Sequence, residues 1–569
     1  MRAGRGGRQA LLPAALLVLL LAIPAVAAAA PRPIDSAQAI RIADRDAKVV
    51  EERREHPGLA SSATVVDGHW EVGYFAGGEE VALVLVDPVT GQVRESWTGY
   101  QVAWKMARGY SGAFGHKLNA PYVFLPLCAL FLLGLFDWRR PLRAVNLDLL
   151  VLLGFGVSNF FFNRAEIGVS VPLVYPLLLY LFARALWLGF RGGGGLRPVW
   201  STGWLLLAAL FLVGFRVGLN LADSGAIDVG YAGVVGADRI AHGEALYDNF
   251  PADVSEGDTY GPVNYYAYVP FERIWPWSGS WDDLPAAHGA AVFFDLGTFA
   301  LLILLGYRIR PGPAGRRLGA TMAFGWAAYP YTAYALESNS NDTLVALLLV
   351  ATLCVLARPV ARGALASLAT LTKFAPVLLV PMLMTYRPPG SATENAASAG
   401  DVEPEGPRTD AVRPPAGPSG FAAGPAAAAF AAAFLLTTIV VMAWPAINPG
   451  LHSFYDRTIA YQADRDSPFS IWGQVSGLEP LRIAILAGVG VLALALAFRP
   501  RGKTLTQVAA LGAALLIGAQ LTAQHWFYLY IVWFFPLLLV ALATLEEERP
   551  TTAEPGPAPA RSSPPAPRR

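Results

Sequence analysis

The chain has 569 residues, 54% of them hydrophobic and only 15% charged, and its 43 Lys and Arg almost balance 42 Asp and Glu for a formal net charge of +1. That composition excludes an ordinary soluble protein and offers no basic excess for nucleic acid. The sequence has no zinc-type Cys/His spacing and no GxxxxGK[ST] phosphate loop, and Cys128 and Cys354 sit in separate apolar segments, where a buried small hydrophobe is the ordinary role. Apolar runs close to the roughly 20 residues that a helix needs to cross a bilayer recur along the chain, so a multi-spanning membrane protein is expected.

Residues 1–30 carry Arg2, Arg5 and Arg8, then an apolar stretch, then small residues from Ala25 to Ala29. This reads as a secretory signal, cleaved or retained as an anchor, which brings residue 31 out on the extracytoplasmic side. Residues 31–117 form the one sizeable polar region. DSAQAIRIADRDAKVVEERR predicts one amphipathic helix behind an acidic and hydroxyl start, and HWEVGYFAGG, EEVALVLVDPVTG and QVRESWTGY predict short strands divided by Gly-Gly and Asp-Pro-Val-Thr-Gly turns. One helix and a small antiparallel sheet resemble the PepSY-like modules of bacterial envelope proteins, a resemblance that implies no catalysis.

Spans are expected near residues 121–136, 145–162, 169–190, 202–221, 287–306, 318–336 and 343–357, the first three of them additional helices within 118–200. DWRRPLR, RGGGGLRP, RIRPGPAGRR and RPVAR concentrate Arg in alternate connections, which orients those connections to the cytoplasm. The loop 222–286, ESNSND at 337–342 and the turn at 163–166 then face outward. Counting back from RPRGK at 499–503 puts the linker 387–420 inside, so 361–387 must enter and leave on one side. Lys373 and Pro376 there suggest two short helices meeting near Thr372 to Pro376. Further spans near 422–444, 480–498, 505–522 and 526–544 bring the total to about a dozen, within a C-terminal block 421–545. The Pro, Ala and Arg-rich tail 546–569 reads as disordered.

Between residues 221 and 260 stand Asp223, Asp228, Asp238, Glu244, Asp248, Asp253, Glu256 and Asp258 against one basic residue, Arg239. Most of these suit a solvated acidic loop. Asp223 and Asp228 sit at the lip of the preceding span, where a carboxylate is partly desolvated unless it faces a cavity. An outward carboxylate is a competent general base toward a hydroxyl. Outside the cytoplasm an activated donor has to be embedded in the membrane, and a lipid-phosphate sugar is the common one. Its phosphate leaving group calls for cations near the outer face, where Lys373 and His525 are best placed. Lys373 also suits a snorkelling interfacial lysine and His525 a member of the aromatic belt.

DVGYAGVVGADRIAHGEALYD at 228–248, followed by TYGPVNYYAYVPFERIWP, resembles the first outer loop of GT-C glycosyltransferases, in particular polyprenyl-phosphate-mannose-dependent α-1,2-mannosyltransferases. ESNSNDTLVALLL, LASLATLTKFAPVLLVP and QHWFYLYIVWFFP continue the resemblance over about 202–544. It implies an all-α polytopic membrane protein with a GT-C-like core in 201–386, about 11–13 spans and a small α+β extracytoplasmic N-terminal domain. It nominates Asp228 as the base, with Asp223 as competitor, and Lys373 and His525 as partners of the donor phosphate, with Arg457 beside them. Tyr231, Tyr247, Tyr260, Asn341 and Asp342 are nominated for substrate contact, although a polar turn opening a span also accounts for the last two. The implied partners are a polyprenyl-phosphate sugar, a glycolipid or glycan acceptor and membrane lipids in a multi-pass cell-membrane protein, with no cofactor; the acidic loop would admit a divalent metal, but nothing fixes its ligands. ESNSND lacks the Gly-Gln that often precedes the family's Asn. A transporter or flippase, or a non-catalytic envelope assembly protein, remains the alternative reading.

Overall fold

The computed structural model describes residues 33–66, 68–109, 115–192, 194–389, 424–465 and 467–544. The expected signal segment, most of the linker and the C-terminal tail lie outside the described residues. The chain divides into two compact units, Met1–Arg108 and Gly109–Arg569.

In the first unit, α1 (Ser36–Ala43) and α2 (Ala47–Glu55) precede a four-stranded antiparallel sheet, β1 (Ala60–Val66), β2 (His69–Ala76), β3 (Glu79–Val86) and β4 (Val93–Thr98), whose spatial order follows the sequence. The single helix expected from the sequence is two, because Asp46 turns its side chain onto the Lys48 N–H and caps a fresh start. Asp35 and Gln38 form a reciprocal capping box at the start of α1. Gly77 and Gly78 both take positive φ, which the tight β2–β3 turn requires. Alternate residues Val72 and Tyr74 of β2 and Ala82, Val84 and Val86 of β3 meet Ala39, Ala43 and Val49 in a closed core.

The second unit is helical. Among the described residues, six helical segments are long and apolar enough to cross a membrane: α4 (Ala144–Phe162), α5 (Ile167–Arg191), α6 (Thr202–Asp223), α8 (Pro285–Ile309), Pro425–Ala463, which begins with α13 (Pro425–Pro445), and α14 (Glu479–Phe498). The chain is therefore a multi-pass membrane protein. Shorter apolar helices α3 (Pro121–Leu135), α11 (Asp342–Cys354) and α15 (Leu505–Leu521) stand among them, with the pieces Ala375–Met384 and Tyr528–Ala543, the latter containing α16 (Ile531–Ala543). Apolar side chains such as Leu207, Phe211, Ile439 and Val440 are exposed while Arg216, Asp295 and Glu337 are buried, the inside-out pattern that hydrocarbon surroundings impose.

Three elements shape the site. α7 (Asp228–His242) follows α6 after a four-residue break. The span expected at 318–336 is interrupted: α9 (Gly312–Ala328) stops before Pro330, whose ring bars a continuous helix, and α10 (Pro330–Glu337) leads into the turn before α11. α12 (Pro359–Thr370) also ends short, and the chain resumes as the piece Ala375–Met384, so Lys373 falls in the interval.

Candidate active site

Glycine spacing fixes where α7 lies. Gly230, Gly233 and Gly236 fall on one helix face, and a Cβ on each would come within 2.2 Å of the Asn339 carbonyl oxygen, 2.7 Å of the Tyr268 ring and 2.2 Å of the Tyr265 ring respectively. Bare glycine lets α7 sit directly on the 338–342 turn. That turn is stitched to its neighbours: Asn220 Nδ2 donates to Asn339 Oδ1 at 2.8 Å, Asn339 Nδ2 to Ser224 Oγ at 2.9 Å, and the Ile227 N–H to the Ser338 carbonyl at 3.2 Å. Asn339 itself adopts positive φ, which asparagine tolerates better than most residues.

A second junction brings Tyr260 to the break after α12. The Gly261 and Val263 N–H groups donate to the Thr372 and Leu371 carbonyls at 3.3 and 3.1 Å, and a Cβ at Gly261 would lie 2.0 Å from the Leu371 oxygen. Lys373 follows directly and is 7% exposed. Its Nζ donates to Asp342 Oδ1 at 2.5 Å and sits 5.2, 5.4 and 5.2 Å from the ring centroids of Tyr260, Tyr530 and Trp533. Trp533 Nε1 donates to the same Oδ1 at 2.8 Å, while Asp342 Oδ2 has no hydrogen-bond partner among the described residues. The ammonium is thus neutralised by one carboxylate and enclosed by three aromatic faces. Lys373, nominated as a partner of the donor phosphate, is paired with Asp342.

Asp228 is placed differently. It opens α7, and with Asp253, Val254, Ser255, Glu256, Gly257 and Tyr260 it borders a cavity of about 180 Å³. Its side chain is open to solvent through that cavity, yet protein surrounds it. Burial pushes its carboxyl pKa up and Asp342 adds to the effect, against the opposing pull of the Val229 N–H, Arg465 and Lys373. A carboxylate that is reachable yet poorly solvated is a stronger base than one in bulk water.

Arg465 faces this arrangement, and no sequence motif singled it out. Its charge acts on Asp228, Tyr260, His525 and Tyr530 alike, which places it among them. Its guanidinium lies 5.7 Å over the Tyr461 ring, and its buried Nε has no hydrogen-bond partner among the described residues. In the sequence it stands between Asp464 and Asp466, which reads as ordinary solvated alternation and hides it. His525 shares a 2.9 Å hydrogen bond with Ser467 Oγ through Nδ1 and meets the Phe469 ring edge-on. Burial, then Arg465 and Lys373, hold its pKa well below the usual histidine range. His525 is therefore a neutral hydrogen-bonding imidazole at physiological pH, not the cation expected from the sequence.

The other nominated residues have structural partners. Asp223 ends α6 and pairs with Lys117 Nζ at 3.2 Å, while its second oxygen accepts the Lys117 N–H at 3.2 Å. Arg457 grips buried Asp258 through Nε at 2.9 and 2.8 Å and Nη2 at 2.6 Å, and also donates to the Ser255 carbonyl. That clamp shapes the loop at the cavity wall and occupies the guanidinium nominated for phosphate. Tyr231 is fully buried, stacked on Trp281 with its hydroxyl toward Asp253 at 3.3 Å. Tyr247 is fully buried too, donating to the Tyr260 carbonyl at 3.1 Å. Both side chains are packed into the framework around the cavity loop. Tyr260 alone of the nominated tyrosines borders the cavity. Asn341 is buried beside Asp342, and neither end of its amide has a partner among the described residues. Among the described residues, three Asp, Glu or His ligand atoms gather only at Glu52, Glu55 and His56 of the N-terminal unit.

Residues 259–400 match the family model of glycosyltransferase family 87. The match takes in Tyr260, Asn341, Asp342 and Lys373 and supports a glycosyltransferase; Asp228, Arg465 and His525 fall outside it. Among solved structures, a crystal structure of ArnT from Cupriavidus metallidurans bound to undecaprenyl phosphate aligns with a TM-score of 0.38 at 14% identity, over 60% of each chain. The chain thus spans about three fifths of the length of that protein. No curated protein matches it.

Proposed function

We propose that this protein transfers a mannose-like hexose from a polyprenyl-phosphate donor to a hydroxyl of a glycolipid or glycan acceptor, on the extracytoplasmic face of the cell membrane. The observation that carries the reading is Asp228: a solvent-reachable carboxylate on the wall of a cavity, its pKa pushed up by surrounding protein, and acted on by the charge of Arg465, whose buried Nε has no hydrogen-bond partner among the described residues. The family match to residues 259–400, a stretch that includes Tyr260 and Lys373, supports glycosyl transfer.

In this mechanism Asp228 accepts the acceptor hydroxyl proton as the oxygen attacks the anomeric carbon. The new bond forms from carbon to acceptor oxygen, and the bond from carbon to phosphate oxygen breaks with its electron pair leaving on the phosphate. Arg465 meets the charge that develops there, and neutral His525 supplies a hydrogen-bonding edge. One displacement inverts the anomeric configuration, with no second carboxylate acting as nucleophile. The Lys373–Asp342 pair holds the Tyr260 ring and the break after α12 in register with the cavity, and so acts through position.

The test is transfer of radiolabelled mannose from polyprenyl-phosphate mannose by membranes containing wild type or Asp228→Asn. Loss of transfer by about 100-fold or more at equal protein level is expected. Wild-type transfer by Asp228→Asn would remove the base assignment.

A further inference from the structure

Arg139 and Arg140 follow α3, Arg197 lies between α5 and α6, and Arg317 lies in α9. Although they come from two separate connections and a helix, these four residues border one cavity of about 330 Å³, together with Asp137, Pro198 and Val199. Its walls are tied together. Arg143 donates to Asp137 Oδ2 at 2.9 Å and to the Gly195 carbonyl at 2.9 Å, Asn146 Oδ1 accepts the Asp137 N–H at 2.9 Å, and Arg317 donates to the Pro198 carbonyl at 2.7 Å.

The charge balance is one-sided. Asp137 is the lone carboxylate and is already engaged by Arg143. Among the described residues the side chains of Arg139, Arg140 and Arg197 find no hydrogen-bonding or ionic partner, and all three are exposed. A bias toward arginine in cytoplasmic connections acts on each connection separately. It does not require two connections and a helix to bring arginines to one walled recess, where mutual repulsion opposes the gathering unless an anion offsets it. Guanidinium groups suit the paired oxygens of a phosphate in particular.

The recess is also separate from the candidate active site. Its Arg197 precedes the first turn of α6, whereas Asp228 follows the last, and 22 helical residues span roughly 33 Å, the thickness of a hydrocarbon core. The two sites therefore sit at opposite ends of a membrane-crossing helix.

We propose that this arginine-walled cavity binds a phosphate group at the membrane interface opposite Asp228. Two sources present that chemistry: the headgroup of an anionic phospholipid and a soluble phosphate. The proposal is independent of the reaction assigned to Asp228.

The experiment is thermal unfolding of the full chain in a neutral detergent, alone and with added phosphatidylglycerol, phosphatidylcholine or inorganic phosphate. A ligand that binds only the folded state raises the melting temperature. Phosphatidylglycerol is expected to raise it by a few degrees and phosphatidylcholine not to, with the response lost in Arg140→Gln/Arg197→Gln and kept in Arg499→Gln/Arg501→Gln, which removes two exposed arginines elsewhere. A response to inorganic phosphate alone, lost in the same cavity variant, supports the site and assigns it to a soluble source. Should the glutamine variant fail to fold, Arg140→Lys/Arg197→Lys carries the test, since it keeps charge but not the planar fork and should respond more weakly than wild type. The proposal is overturned by no response to either phosphate source, by equal loss in the two glutamine variants, or by a lysine variant that responds like wild type.

Discussion

Asp228 and Asp342 are the same residue type in the same helical position, each in the first turn of its helix, and the protein uses them in opposite ways. Asp342 is fully buried, and one of its oxygens is taken by Lys373 and Trp533. Asp228 borders a solvent-reachable recess and feels the charge of Arg465, whose buried Nε has no hydrogen-bond partner among the described residues. An N-terminal helix position favours carboxylates in both cases. The difference is what lies opposite. A caged ammonium makes one aspartate a fastener, and an open cavity leaves the other available to a substrate hydroxyl.

Matched substitutions at the two aspartates are the sharpest way to break this contrast. Asp228→Asn should cut turnover by about 10²–10⁴-fold while the melting temperature barely moves. Asp342→Asn should do the reverse, leaving a buried ammonium unpaired at about 3–5 kcal/mol, read as a lower melting temperature and a low yield of folded protein. Replacing both partners, Asp342→Leu with Lys373→Met, should recover most of that stability, because no buried charge is then left uncompensated. A large stability loss from Asp228→Asn would put both aspartates in one class.

Smaller effects refine the open half of the site. Arg465→Gln should lower turnover by about 10–100-fold, with Arg465→Lys recovering part of it, if the guanidinium meets the departing phosphate. Gly230→Ala should cost about 1–3 kcal/mol and reduce turnover as well, because the new methyl meets the Asn339 backbone two residues from Asp228 and α7 must shift. An alanine variant with wild-type activity would show that Asp228 tolerates displacement, contrary to the role given to the glycine face.

The helical membrane architecture was legible because span-length apolar runs leave few alternatives in lipid. The small sheet was legible because alternation and paired glycines mark hairpins. Where the sequence misled was in partner choice. ESNSND reads as a local polar turn, and nothing local reveals that Asp342 meets a lysine 31 residues onward. Arg457 and Arg465 lie eight positions apart in one polar segment and look equivalent, yet the first reaches Asp258, 199 residues away, while the charge of the second acts on Asp228 and its buried Nε has no hydrogen-bond partner among the described residues. These outcomes depend on the close approach of backbones that Gly230 and Gly261 permit, a tertiary property. The three-residue glycine spacing in GYAGVVG is a local signal of that approach.

The central claim is that Asp228 removes the acceptor proton, and the pH dependence of transfer tests it most directly. The base works deprotonated, and burial raises its folded-state pKa, so activity should climb with pH through a midpoint above the ordinary aspartate range and then level off. In Asp228→Asn the residual rate should lack that rising limb. A variant that keeps both the wild-type rate and the wild-type limb would contradict the account.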